Sequence, residues 1–323
     1  MTRMRYQQAL AKALRDEMAA DPEVFVLGED VGESLRGVTK GLLAEFGPQR
    51  VLDAPLSEQA FTSFATGAAL RGRRPVVEYQ IPALLYLVFE QIVNQAHKFR
   101  LMSGGQASVP VTYLVPGSGA RLGLAGQHSD NPYAFFAHAG VKTVVPATAD
   151  DAYGLFASAI RDDDPVVVFA PAAALGTRAD VPDEPYRIPL GSGRIHREGT
   201  DVTVFAVGHL VHDALAVAEE MAGEVSVEVL DPRTVYPVDW PLLAASLEKT
   251  GRLVVLDDTN ISGGFAAEVV ATAAEQMRLV TAPRRVSRAD AVIPFAVDLE
   301  LALLPSRPQL AEAVRAVMKE GRR

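Results

Sequence analysis

Apolar and polar residues alternate along this chain in two rhythms, short buried runs and longer helical stripes. Residues 5–20 carry Ala9, Leu10, Ala13 and Leu14 on one face, which predicts an amphipathic helix. Val24-Phe-Val-Leu27, Arg50-Val-Leu52, Pro75-Val-Val-Glu78, Pro110-Val-Thr-Tyr-Leu-Val115, Val141-Lys-Thr-Val-Val145 and Val166-Val-Val-Phe169 read as strands too apolar to be half-exposed. Helices are expected at about 37–46, from Glu58 to about Arg71, from Leu84 to Met102 and over 149–161. Pro171 to Pro189 is dense in proline and charge and reads as a linker. Beyond it the rhythm resumes: strands Val202–Ala206, Val225–Val229 and Arg252–Leu256, with helices near 211–221, 239–248 and after Ser262-Gly-Gly264. Strands alternating with helices predict mostly parallel sheets covered by helices on both faces, an α/β fold in two domains, 1–185 and 186–323.

Length and composition narrow the class. A chain of 323 residues suits two domains rather than one core, and 49% hydrophobic against 22% charged residues is a globular balance. There is no cysteine, which removes disulfide and thiolate chemistry and makes a cytoplasmic setting the simplest expectation. A net charge of −9 argues against a nucleic-acid partner. No apolar run approaches the roughly 18 residues of a membrane span. The start leads into an amphipathic helix rather than a signal-peptide core, so a soluble protein without a membrane partner is expected.

Candidate chemistry centres on Asp53-Ala-Pro-Leu-Ser-Glu-Gln-Ala-Phe61. Ser57 is placed to cap the following helix with its hydroxyl, and Glu58 falls where the helix dipole favours a carboxylate. The helix behind it is so poor in charge that it is expected to be buried. Glu58 is therefore either a structural cap or a working acid. Gly28-Glu-Asp-Val-Gly32 puts Glu29 at the carboxyl end of a strand, where open α/β sheets bind ligands, although solvated loop charge reads equally well. The loop Pro116-Gly-Ser-Gly-Ala-Arg-Leu-Gly-Leu-Ala-Gly-Gln-His128 is glycine-rich without the form of a phosphate cradle. It either delivers His128 to a pocket or leaves it on the surface. His138 is expected to be packed in a core. His209 and His212 have metal-ligand spacing but no third partner.

Seven segments stand in an order and spacing that resemble one family. They are Gly28-Glu-Asp30, Asp53 to Phe61, Gln91-Ile-Val-Asn94, Met102-Ser-Gly-Gly105, Gln127-His-Ser129, Ala159-Ile-Arg-Asp162 and Ser262-Gly-Gly-Phe265. Together, over about residues 4–320, they resemble the β subunit of the decarboxylating first component of 2-oxo acid dehydrogenase complexes, of pyruvate, branched-chain or acetoin type. The resemblance implies a transketolase-like pyrimidine-binding domain followed by a transketolase C-terminal domain. It implies thiamine diphosphate shared with an α subunit, which carries the Gly-Asp-Gly motif for diphosphate and Mg; no such motif occurs here. The implied assembly is an α2β2 heterotetramer docked on a lipoyl-bearing acyltransferase core.

By motif, Glu58 is the acid that bonds the cofactor's pyrimidine and favours its imino tautomer, a role that burial suits because it disfavours a carboxylate's charge. His128 matches the histidine on the substrate side, and Glu29 a supporting acid. Leu56 and Leu84 are the implied apolar cofactor contacts. Leu84 stands where relatives usually have an aromatic residue, which loses ring stacking of ~1 kcal/mol. The resemblance also implies a potassium ion held by backbone carbonyls around Val111, Ala159, Ile160 and Asp162, plus Asp164. Further departures, Ser34-Leu-Arg-Gly-Val38 and Pro171-Ala-Ala-Ala-Leu-Gly176, bear on the substrate. A two-carbon transferase to a carrier protein and a non-catalytic scaffold for an α subunit are the other two readings.

Overall fold

The computed structural model describes residues 1–120 and 122–320. Its first half runs β1 (Thr2–Arg5), α1 (Tyr6–Ala20), β2 (Val24–Gly28), α2 (Leu42–Phe46), β3 (Val51–Asp53), α3 (Glu58–Leu70), β4 (Arg74–Glu78), α4 (Leu84–Leu87) and α5 (Phe99–Met102). It continues through β5 (Thr112–Ser118), α6 (Tyr133–His138), β6 (Lys142–Val144), α7 (Ala149–Arg161), β7 (Val166–Pro171) and β8 (Arg178–Val181). The second half is β9 (Arg194–Arg197), β10 (Val202–Ala206), α8 (Leu210–Glu220), β11 (Val227–Asp231), β12 (Thr234–Tyr236) and α9 (Trp240–Thr250). Then come β13 (Leu253–Asn260), α10 (Phe265–Gln276), β14 (Arg284–Arg288), α11 (Val297–Leu303) and α12 (Arg307–Glu320).

The larger sheet has the order β12-β6-β7-β5-β4-β2-β3, and all its pairings are parallel except that of β12 with β6. The second sheet has the order β14-β13-β10-β11-β9, with β9 antiparallel at its edge. Strand side chains alternate between faces. Val24 and Val26 therefore join Leu10, Leu14, Tyr153 and Phe156 on the side of α1 and α7. Phe25 and Leu27 point the other way, into a core with Phe61, Ile92 and Phe136. That second core runs on to Phe205, Leu230 and Phe265, so one apolar body joins the two sheets.

Three expectations need correction. The helix expected over Leu84 to Met102 is broken into α4, a π-helical turn at Gln91–His97 and α5. Its buried residues Leu85, Val88, Ile92, Val93 and Ala96 keep a helical spacing, which is why periodicity alone does not reveal the break. The proline-rich linker contains β8, which pairs antiparallel with β1 from Thr2↔Val181 to Arg5↔Arg178. Both strands are largely polar, and their partner is distant in sequence, so no local pattern announces the ribbon. Helix α3 buries Phe61, Thr62, Ala65, Thr66 and Ala69, but Phe64 on its other side is 57% exposed.

The strand register sets the level of the site. Gly28 pairs with Asp53 on one side and Glu78 on the other, so the carboxyl ends of β3, β2 and β4 lie side by side. A side chain at Gly28 would run into the Glu78 carbonyl oxygen. Gly28→Ala is accordingly expected to cost about 2 kcal/mol or more of stability, measured as a lowered denaturation midpoint.

Candidate active site

The loops after β2, β3, β4 and β5 all leave the larger sheet at its carboxyl edge, where doubly wound folds bind ligands. They bring Glu29, Glu58, Leu84 and His128 to that edge. Two glutamates lie in contact there. Glu29 is 8% exposed and hydrogen-bonded to Glu58. Burial first, and then the charge and hydrogen bond of Glu58, push the Glu29 carboxyl up to about 7. Glu29 is thereby held in its protonated form up to about pH 7, and its Oε1 is buried without a hydrogen-bond partner.

Glu58 is the first residue of α3 and is half-buried. Ser57 occupies the N-cap position, but its hydroxyl does not cap the helix; Oγ donates instead to Pro55 O at 3.3 Å. The first turn is tied down from within: Thr62 Oγ1 donates to Glu58 O at 2.6 Å and lies 2.7 Å from the Tyr79 hydroxyl. Tyr79 packs between Phe61 and Tyr113 with ring centroids 5.8 and 6.4 Å apart. The acid thus rests on an aromatic floor.

Glu29 is held through its backbone. Gln80 Nε2 donates to Glu29 O at 2.7 Å, and Arg36 Nη2 donates to Gln80 O at 2.8 Å. Glu78, at the end of β4, is 1% exposed; burial raises its carboxyl to about 7, although Arg36 and Gln80 pull the other way. Sequence reading missed Glu78, Gln80 and Arg36. The available signal was the same as for Glu29, a charged residue closing an apolar strand.

The remaining expected residues are scattered around this edge. Leu56 is 83% exposed, and Leu84 is half-buried against the core of α3. His128 is half-buried, and its backbone N–H donates to Ala125 O at 2.9 Å. Arg121 of the same loop lies outside the described residues. A cavity of 680 Å³ opens beside Gln127, lined also by Ala83, Tyr86, Asp130, Arg288 and Phe295 among others. A second groove of 550 Å³, lined by His138, Tyr236, Trp240, Phe265 and Glu268 among others, contains neither Glu29 nor Glu58.

One expectation fails on geometry. His138 is exposed rather than packed in a core. No metal was expected at His209 and His212; His212 Nε2 bonds Ala147 O at 3.0 Å, and burial lowers the His209 ring to about 4. Among the described residues one group of three ligand atoms is close enough for a metal ion: Asp151, His196 and Asp231. Arg233 already sits 2.6 Å from Asp151, so this buried group is neutralised by the protein itself. The carbonyls named for potassium meet a cation of the chain. Arg74 Nη1 donates to Ile160 O at 3.2 Å and Asp162 O at 3.0 Å. Lys142 Nζ bonds the carboxylates of Asp162 at 2.8 Å and Asp164 at 3.1 Å. Val111 O accepts from Val166 N at 3.0 Å, and Ala159 O from Asp162 N at 3.3 Å.

Comparison with known proteins supplies the class. Residues 2–177 match the family model "Transketolase, pyrimidine binding domain", and residues 191–310 match "Transketolase, C-terminal domain". The fold is that of a split gene transketolase, solved as an inactive β4 tetramer. That structure superposes with a TM-score of 0.81 at 22% identity, covering 99% of both chains. The chain is 40% identical to pyruvate dehydrogenase E1 component subunit beta-2, mitochondrial, of Oryza sativa subsp. japonica, covering 98% of this chain and 86% of that one. It is 39% identical to pyruvate dehydrogenase E1 component subunit beta of Rickettsia felis, covering 96% and 97%. It is 38% identical to acetoin:2,6-dichlorophenolindophenol oxidoreductase subunit beta of Bacillus subtilis, covering 97% and 96%. The chain therefore belongs to the β subunits of the first component of thiamine-diphosphate-dependent 2-oxo acid dehydrogenases.

The glutamate pair yields a pH prediction. Glu29 binds a proton in the folded chain up to about pH 7, whereas in the unfolded chain it ionises near 4.5. The folded state holds more protons in that window, so stability falls as pH rises through it and levels off above. Glu29→Gln is expected to shrink the fall in urea midpoint between about pH 5 and about pH 8; an unchanged fall would contradict the shared proton.

Proposed function

We propose that the chain supplies the pyrimidine side of a thiamine diphosphate site that an α subunit completes, in an α2β2 assembly. The assembled enzyme decarboxylates a 2-oxo acid of the pyruvate type and passes the acyl group to the lipoamide of an acyltransferase core. The observation that carries this reading is the Glu29–Glu58 contact. A protonated acid lies against a helix-terminal carboxyl at the ligand-binding edge of the sheet, with one further oxygen buried and unpaired. That donor set fits an aminopyrimidine edge, which both gives and takes hydrogen bonds.

Thiamine diphosphate, when bound, would supply a nucleophilic thiazolium carbon for the keto group of the substrate. The chain's own work is to hold and move protons. Glu58 would hold a proton toward the pyrimidine ring nitrogen, which favours the imino form, while Glu29 would support Glu58 from its other side. Leu56 and Leu84 give the ring apolar contact, and the exposure of Leu56 agrees with a surface that a ligand and a second subunit cover. His128 reaches the substrate side and orients the acid's carboxylate. Mg belongs with the α subunit. A potassium ion at Val111, Ala159, Ile160, Asp162 and Asp164 would share that corner with Arg74 and Lys142, which bond Ile160, Asp162 and Asp164. No helix among the described residues is long and apolar enough to cross a membrane, and a cytoplasmic setting is part of the same proposal.

The test is co-expression with the cognate α subunit, followed by turnover assays with thiamine diphosphate, Mg and an artificial electron acceptor. Pyruvate is expected to be turned over in preference to branched-chain 2-oxo acids, and Glu58→Gln is expected to lower turnover at least ~100-fold. A stable complex that binds the cofactor yet acts on no 2-oxo acid would overturn the dehydrogenase reading and favour a two-carbon transferase. Activity that survives Glu58→Gln would favour a scaffold.

A further inference from the structure

The loop that carries His128 is fastened to the second sheet. Asp130, two residues on, is the meeting point: its Oδ1 accepts from Arg288 Nη2 and its Oδ2 from the Tyr86 hydroxyl, both at 2.7 Å. Asn131 N donates to the same Oδ1 at 2.8 Å. Tyr86 lies in α4 two residues after Leu84, and Arg288, 4% exposed, closes β14. Further along, Asn131 Nδ2 donates to Asp258 Oδ2 at 2.8 Å, and the Tyr133 hydroxyl donates to Asp257. Before His128, Gly123 N donates to buried Glu300 Oε2 at 2.7 Å and Gly126 N to Ile293 O at 3.0 Å.

These bonds bracket the histidine on both sides. The loop backbone needs them, because Leu122 and Ala125 hold positive φ angles of 47° and 63°, which side chains disfavour. Arg288 is not a free anion-binding cation, since its charge faces both Asp130 and Asp258.

We propose that Asp130 and Arg288 are positioning residues: they lock the His128 loop and the Leu84 turn to the second domain, which so sets the geometry of the active site. This rests on the role given to His128 above, and its test separates the two. Asp130→Ala leaves Arg288 with Asp258 as counter-charge, so the fold is expected to stand. In the full-length chain, backbone amides of residues 122–131 are expected to exchange with solvent at least about tenfold faster in this variant, with α12 and β13 unchanged. Tyr86→Phe, which removes one hydroxyl, is expected to raise exchange in the same segment by a smaller factor. In the complex with the α subunit, Asp130→Ala is expected to lower kcat with little change in cofactor affinity. Combined with His128→Ala, it should be no slower than His128→Ala alone.

Unchanged exchange in both variants would overturn the proposal, as would a double variant whose loss is the product of the two single losses. Full turnover in His128→Ala would instead strike the role of the histidine, and the exchange result would still decide the fastening.

Discussion

Two carboxyl groups in contact at a buried edge cannot both carry charge cheaply, and the site is built around that constraint. Burial raises the Glu29 carboxyl, and the neighbouring Glu58 adds to the rise. The consequence is a donor and an acceptor side by side at the carboxyl ends of β2 and β3, placed by strand register rather than by the loops alone. Everything nearby serves to keep that pair in place. Gln80 and Arg36 grip the backbone of Glu29, and Thr62 and Tyr79 hold the first turn of α3.

Most of this architecture was legible in the sequence because parallel strands buried on both faces must be apolar throughout. The central strands β2, β4, β5, β7, β10 and β13 all fall within or overlap the runs that predicted them. Elements stabilised by distant partners were not legible. The ribbon of β1 and β8 is polar, and β9 and β12 attach antiparallel at sheet edges with no pattern of their own. The π-helical turn keeps a helical burial spacing and so hides inside an apparent single helix.

The site was legible to a different depth. Glu58, Glu29 and His128 stand in segments whose order marks the family. Glu78, Arg36, Asp130 and Arg288 do not, because each gains its meaning from a contact across the fold. Arg288 meets Asp130 at a separation of 158 residues. Local chemistry also misled: Ser57 has the right residue type for a cap, but its hydroxyl turns back to Pro55.

The central claim is that Glu58 acts on the cofactor's pyrimidine, and its most direct test is the exchange of the thiazolium ring proton of bound thiamine diphosphate for deuterium. In the complex with the α subunit this exchange is expected to be fast with the unaltered chain. It should slow by at least ~100-fold in Glu58→Gln at full cofactor occupancy. Equal exchange rates in the two proteins, with the cofactor bound in both, would contradict the account.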